Sequence, residues 1–158
     1  TVLLVGRGRD EPRLRRLAAR RRVPVRFEVD VPWESLPGLY REMTVFAMPC
    51  RSRWLGLEVE GLGLVFLEAA ACGLPVIAGD SGGSPETVDP GVTGFVAADT
   101  GHVTEGLRLL LEDPDRARRM GAAGREWVLS RFTWEAVADR FREAVEAMSG
   151  DGSGTRPS

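Results

Sequence analysis

Short apolar runs alternate with longer amphipathic stretches along most of the chain. Val2–Val5 is uniformly apolar and closes on Gly6-Arg7-Gly8, which reads as a buried strand followed by a tight turn. Asp10 stands where a helix cap is needed and Pro12 near the first helical position. Leu14, Leu17 and Ala18 form the apolar stripe of that helix, which ends near Arg22. Pro24–Val29 is a second strand and Asp30–Trp33 a turn. A short helix over Glu34–Met43 follows, its bounds left open by Pro37-Gly38, with Leu36, Leu39 and Tyr40 inward. Val45–Met48 is a third strand, stopped by Pro49, and Cys50–Val59 is a loop. The run from Leu64 to Cys72 has no breaker until Gly73, so a helix begins near Gly63 or Leu64. Gly73 suits the left-handed position after a helix, with Pro75 just beyond. Val76-Ile77-Ala78 is a strand covered on both faces.

Ser81–Glu86 is a turn in which Pro85 opens a short helix capped by Ser84. Gly91–Gly94 is another turn and Phe95-Val96 the last strand. The rest is helical. His102–Leu111 carries Val103, Leu107, Leu110 and Leu111 on one side. A helix from Asp113-Pro114 to Arg131 places Ala117, Met120, Ala123 and Trp127 or Val128 inward. Thr133 caps a final helix, Glu135–Met148, with Val137, Phe141 and Val145 at four-residue spacing. Ser149–Ser158 has no apolar residue and reads as a disordered tail. Strands alternating with helices predict an α/β fold over residues 1–148: a three-layer, Rossmann-like parallel sheet with helices on both faces.

Composition narrows the picture. At 158 residues the chain suits one domain with a real core and is short for two. A net charge of −2 gives no reason to expect a nucleic-acid partner. Arg15, Arg16, Arg20, Arg21 and Arg22 interleave with apolar residues at helical spacing, as on a solvated helix face. Cys50 and Cys72 lie in dissimilar contexts and His102 is the only histidine, so no metal site is expected. Two unpaired cysteines and the lack of a signal peptide pattern or an 18-residue apolar run suggest a reduced, cytoplasmic setting. The chain opens inside a strand and without Met, as a fragment or excised domain would.

The candidate chemistry lies in Glu58–Glu86. Glu60 and Glu68 bracket a glycine pair, Gly61 and Gly63, at the start of a helix. A helix N-terminus offers unpaired N–H groups and partial positive charge to an anion such as a diphosphate. Glycines let a ligand approach the backbone, and carboxylates accept hydrogen bonds in pairs, as vicinal sugar hydroxyls donate them. A nucleotide sugar presents two diols with a diphosphate between them. The same residues also fit a solvated loop acid and a surface residue of an ordinary helix. The preceding loop, at the C-terminal end of a strand, carries Arg51, Arg53 and Trp54. Its arginines suit bidentate contact with a diphosphate, or simply solvent. Gly6-Arg7-Gly8 lacks the third glycine and later acid of a dinucleotide fingerprint, which excludes that reading.

Residues 60–88, EGLGLVFLEAAACGLPVIAGDSGGSPETV, resemble the E-x7-E signature of the retaining glycosyltransferases of family 4, two-domain enzymes of GT-B architecture. The segment AMPCRSRWLGLEVEG before it is similar to actinobacterial GDP-mannose-dependent phosphatidylinositol mannosyltransferases. The resemblance runs from Val2 to Met148 and is strongest over Ala47–Val88. It implies the C-terminal, donor-binding half of such an enzyme, transferring a hexose with retention to a lipid-linked or saccharide hydroxyl. The expected donor is GDP-mannose, with no other cofactor and no metal. It implies that Glu60 contacts the donor hexose, that the backbone amides of Gly61, Leu62, Gly63 and Leu64 meet sugar and phosphate, and that Glu68 holds the ribose hydroxyls. The loop Asp30–Pro32, with Val31 at its centre, is then the base-contact region, and Arg53 joins the donor site. Arg7 would face phosphate, whereas Glu86 is left outside the catalytic set. Two departures from the family pattern are expected: the domain's first strand–helix unit and the N-terminal acceptor domain are both missing, so the isolated chain should be inactive. The intact enzyme would be cytoplasmic and peripheral at the membrane, and its terminal helix would cross to the absent domain. The alternative reading is a truncated, non-catalytic nucleotide-sugar-binding or interaction module.

Overall fold

A computed structural model of the protein describes residues 1–52 and 59–150. The chain forms two compact units, Thr1–Met43 and the remainder from Thr44. In the first, strand β1 (Val2–Val5) pairs in parallel with β2 (Val25–Glu28), Leu4 opposite Phe27, and helix α1 (Glu11–Arg21) connects them. Asp10 occupies the N-cap position, but its backbone is already helical and its side chain makes no capping bond; its carbonyl instead accepts from Leu14 N–H at 2.9 Å. Leu14 and Ala18 are half-buried, whereas Leu17, expected on the inward stripe, is 46% exposed. The guanidinium of Arg15 lies 4.2 Å over the Phe27 ring, and Arg16, Arg20, Arg21 and Arg22 are exposed. A single 3-10 turn, Trp33–Ser35, leads into helix α2 (Leu36–Glu42). Pro37 sits in the first turn of α2, where no intrahelical N–H bond is lost, so it starts the helix instead of breaking it.

In the second unit, β3 (Phe46–Met48), β4 (Val76–Gly79) and β5 (Gly94–Ala97) form a parallel sheet in that order. Every residue of the central β4 is buried, as its unbroken apolar run predicts. Helices α3 (Leu64–Ala71), α4 (Thr100–Glu112), α5 (Pro114–Arg131) and α6 (Trp134–Gly150) complete the unit. The core joins Ile77 and Ala97 of the sheet to Leu110, Ala117 and Met120, flanked by Val45, Phe95, Val103 and Leu107. Leu111 does not join Leu110 inward; it is 60% exposed, because the core side of α4 is set by Val103, Leu107 and Leu110. Helix α6 runs two residues past the expected Met148, to Gly150, and residues 151–158, where a disordered tail was expected, lie outside the described residues. Thr133 caps it as expected, accepting from Ala136 N–H at 3.2 Å, but its apolar stripe lies open, with Phe141 71% exposed. This is the α/β architecture of parallel strands and covering helices that the alternation predicts. Among the described residues no helix is long and apolar enough to cross a membrane.

Helix α4 starts two residues before the expected His102 because Asp99 caps it. The Asp99 carboxylate accepts from His102 N–H at 2.9 Å and contacts the ring Nδ1 at 2.9 Å. The His102 backbone bond, followed by the ring contact, holds Asp99 below the usual carboxylate range. A lowered folded-state value stabilises the cap above the ordinary range and loses that contribution as pH falls through the folded value. In an NMR titration Asp99 should therefore titrate below the ordinary Asp value, with the His102 amide exchanging faster once it is protonated. Titration at the ordinary value would contradict the capping assignment.

Candidate functional site

Strands β3 and β4 run parallel, so their C-terminal ends deliver two chain segments to the same edge of the sheet. The Cys50 thiol lies 3.2 Å from Ser84 Oγ and 3.9 Å from the Gly79 carbonyl. Beyond β4 the turn Ser81–Gly83 backs directly onto the chain segment entering α3. Glu60 N–H donates to Ser81 Oγ at 3.2 Å, and Ser81 Oγ lies 3.1 Å from Ser52 Oγ. Gly83 N–H donates to the Gly61 carbonyl at 2.9 Å and more weakly to the Glu60 carbonyl at 3.4 Å. The backbones approach so closely that a Cβ on Gly82, which has φ +55°, would overlap the Glu60 carbonyl. Ser84 is not the cap expected for the short helix after this turn; Gly83 takes that position and Ser84 begins the 3-10 segment Ser84–Thr87.

Gly63 turns the chain into α3 with φ +71° and ψ 63°, a left-handed conformation that costs glycine little. A Cβ there would stand 2.6 Å from the Phe66 ring. Gly63, at the N-cap position of α3, has no side chain with which to cap it. Among the described residues the N–H groups of Gly61, Leu62, Gly63 and Leu64 donate to no other group. Among the described residues these four amides have no acceptor, and those of Gly63 and Leu64 lie at the N-terminus of α3, with partial positive charge behind them. Glu60 stands just before them and Glu68 in the second turn of α3, both half-buried. Leu62 and Leu64 are exposed and leave the backbone accessible. An anion at the amides and hydroxyl donors at the two carboxylates is the chemistry this arrangement accommodates.

Glu60, Gly61, Leu62, Gly63 and Leu64 thus lie in one stretch at the entry to α3, with Glu68 in the second turn of that helix. Arg53 and Trp54 lie outside the described residues, and Arg51 is exposed. Val31 belongs to the first unit, half-buried in a cleft of about 450 Å³ lined also by Val29, Pro32, Ser35 and Leu39. Asp30, which also lines that cleft, has φ 54° and pairs with Arg7, so Arg7 holds a carboxylate in this structure. Glu86 is exposed. Among the described residues no group of three or more His, Cys, Asp or Glu side chains is placed to hold a metal ion. Sequence reasoning missed the backing of the loop: Ser52, Ser81 and Cys50. The available signal was the run Ser81-Gly82-Gly83-Ser84, small residues of the kind that let two backbones meet.

A parallel α/β unit with a glycine-rich, acid-flanked helix entry at its strand ends places the chain in a known class. The family model of group 1 glycosyl transferases matches residues 1–127, and the chain belongs to this family. Within it, the chain is 50% identical over 121 residues to the GDP-mannose-dependent α-(1-6)-phosphatidylinositol monomannoside mannosyltransferase of Mycolicibacterium smegmatis, an overlap of 75% of this chain and 32% of that protein. It is 45% identical over 148 residues to the GDP-mannose-dependent monoacylated α-(1-6)-phosphatidylinositol monomannoside mannosyltransferase of Corynebacterium glutamicum, an overlap of 92% of this chain and 39% of that protein. The chain thus spans between 32% and 39% of these two relatives' length. Among solved structures, sucrose-phosphate synthase from Thermosynechococcus elongatus superposes with a TM-score of 0.75 at 30% identity, covering 95% of this chain and 39% of that one. HepE from Anabaena, solved with UDP, superposes with a TM-score of 0.76 at 22% identity, covering 93% and 41%, and shows the shared GT-B fold.

Proposed function

We propose that this chain is the donor-binding part of a retaining mannosyltransferase that takes mannose from GDP-mannose. Glu60 engages the donor hexose, the amides of Gly61, Leu62, Gly63 and Leu64 receive the diphosphate and sugar, and Glu68 holds the ribose hydroxyls. Val31 meets the base and Arg53 the diphosphate. The observation that carries this reading is the clamped loop: amides before and at the start of α3 with no acceptor among the described residues, and a carboxylate on either side. The identity of 50% to a relative named for GDP-mannose supports the choice of donor.

The chemistry follows from charge. As the glycosidic bond lengthens, the diphosphate gains negative charge and the sugar becomes oxocarbenium-like. Fixed amides at a helix N-terminus stabilise the first, and a fixed carboxylate at the sugar stabilises the second. Glu60 is assigned as a contact to the hexose and not as a nucleophile. The acceptor is a lipid-linked or saccharide hydroxyl, bound by the part of the relatives that does not align with this chain. The whole enzyme would then work in the cytoplasm, peripheral to the membrane, and this chain alone should bind donor without turnover.

Calorimetric titration with GDP, UDP and ADP tests the reading. GDP should bind best, and Glu68→Ala should weaken it about tenfold, the effect of losing hydrogen bonds to a charged group. No binding at millimolar nucleotide, or Glu68→Ala binding as wild type does, would sink it.

A further inference from the structure

We infer that Ser81 is a positioning residue for the donor sugar, acting through the backbone of Glu60. The inference rests on the donor-site reading above. Ser81 is 2% exposed, and its hydroxyl accepts the Glu60 N–H at 3.2 Å while lying 3.1 Å from Ser52 Oγ. A hydroxyl has one proton and two acceptor sites, so both contacts can be satisfied at once.

The geometry of a trans peptide makes this bond consequential. In a planar trans peptide the carbonyl and the following N–H point in opposite directions. The Glu60 and Gly61 carbonyls both turn toward Gly83 N–H, at 3.4 and 2.9 Å. The amides of Gly61 and Leu62 must then point away from the Ser81–Gly83 turn, and among the described residues they meet no acceptor. Glu60 stands between two anchored groups, its own N–H on Ser81 and its own carbonyl on Gly83. Fixing both sides of one Cα fixes the direction of the Cα–Cβ bond, and with it the point from which the carboxylate reaches the sugar. Among the described residues the Ser81 hydroxyl is the only side chain in this clamp that bonds the Glu60 backbone; the other bonds are backbone to backbone. A substitution at Ser81 therefore loosens Glu60 selectively and leaves the route of the turn intact. Glu68 lies on α3, outside the clamp, so the nucleotide should feel the loss less than the sugar does.

The test compares GDP-mannose with GDP by calorimetry on wild type, Ser81→Ala and Glu60→Ala, with hydrogen exchange read at the Glu60 and Ile77 amides. Loss of one hydrogen bond in Ser81→Ala should lower GDP-mannose affinity about two- to tenfold while GDP changes by less than about twofold. The Glu60 amide should exchange faster and the core Ile77 amide should not. An unchanged ratio of the two affinities overturns the proposal, as does an equal fall for both ligands with Ile77 also deprotected, the mark of a purely structural role. Ser52→Ala, at an exposed position, covers the case in which Ser81→Ala does not fold. It should lower the same ratio in the same direction, and no change there overturns the relay. If wild type binds neither ligand, or Glu60→Ala keeps full GDP-mannose affinity, the donor-site reading itself falls.

Discussion

Gly82→Ala is expected to lower the affinity for GDP-mannose by about 10- to 100-fold and the melting temperature by several degrees, since hydrogen bonds of about 1 kcal/mol each are lost from the loop that would hold the donor. Two features of the position combine. Its φ of +55° is one that residues with a Cβ adopt at a cost, and the added carbon would overlap the Glu60 carbonyl. A backbone carbonyl cannot rotate aside as a flexible side chain can, so one of the two loops must retreat. Either movement breaks the bonds from Gly83 N–H to Gly61 and Glu60 and the bond from Glu60 N–H to Ser81. Gly82 itself is exposed and lies outside the strands, so the sheet should keep its fold. Calorimetry with GDP-mannose and a thermal melt on the same sample check this. Wild-type affinity in a folded Gly82→Ala variant would show that the close approach of the two loops has no bearing on binding.

Phe66→Ala is expected to destabilise the protein by about 3–5 kcal/mol, the range for removing a fully buried aromatic ring. Phe66 is 0% exposed and meets Phe46 edge-on with ring centroids 6.0 Å apart. Its ring also lies under Gly63, where a Cβ would stand 2.6 Å away, so it supports the turn into α3. Truncation therefore opens a cavity beneath the amides that the proposed donor would use. Donor affinity should fall in the folded fraction as well, whereas Phe66→Leu should recover most of both losses. Urea denaturation gives the stability change directly. A loss below about 1 kcal/mol, the usual scale of a surface substitution, would mean that the site collapses around the gap and that Phe66 is not a pillar of it.

Elements with strong local signals were legible before the fold. Leu64–Cys72 holds no breaker, Gly73 does adopt a left-handed φ of 81°, and β4 follows where Val76-Ile77-Ala78 predicts it. Asp10 takes the N-cap position where an acid often caps a helix, but its backbone is already helical and its side chain makes no capping bond. The stripe of Val137, Phe141 and Val145 has the period of a buried face, yet periodicity cannot say what covers a face, and Phe141 stands 71% exposed.

The sequence by itself determined the order of strands and helices, the glycine-rich entry to α3 and the pair Glu60 and Glu68. All of these rest on interactions within a few residues, where spacing and backbone preference suffice. Only the tertiary structure decided that Ser81 and Gly83 grip the backbone of Glu60 and Gly61. Those bonds join loops from the ends of two neighbouring strands, and no local preference in either loop requires the other. The parallel pairing of β3 with β4 brings the two loops together, and the lack of a side chain at Gly82 lets their backbones touch.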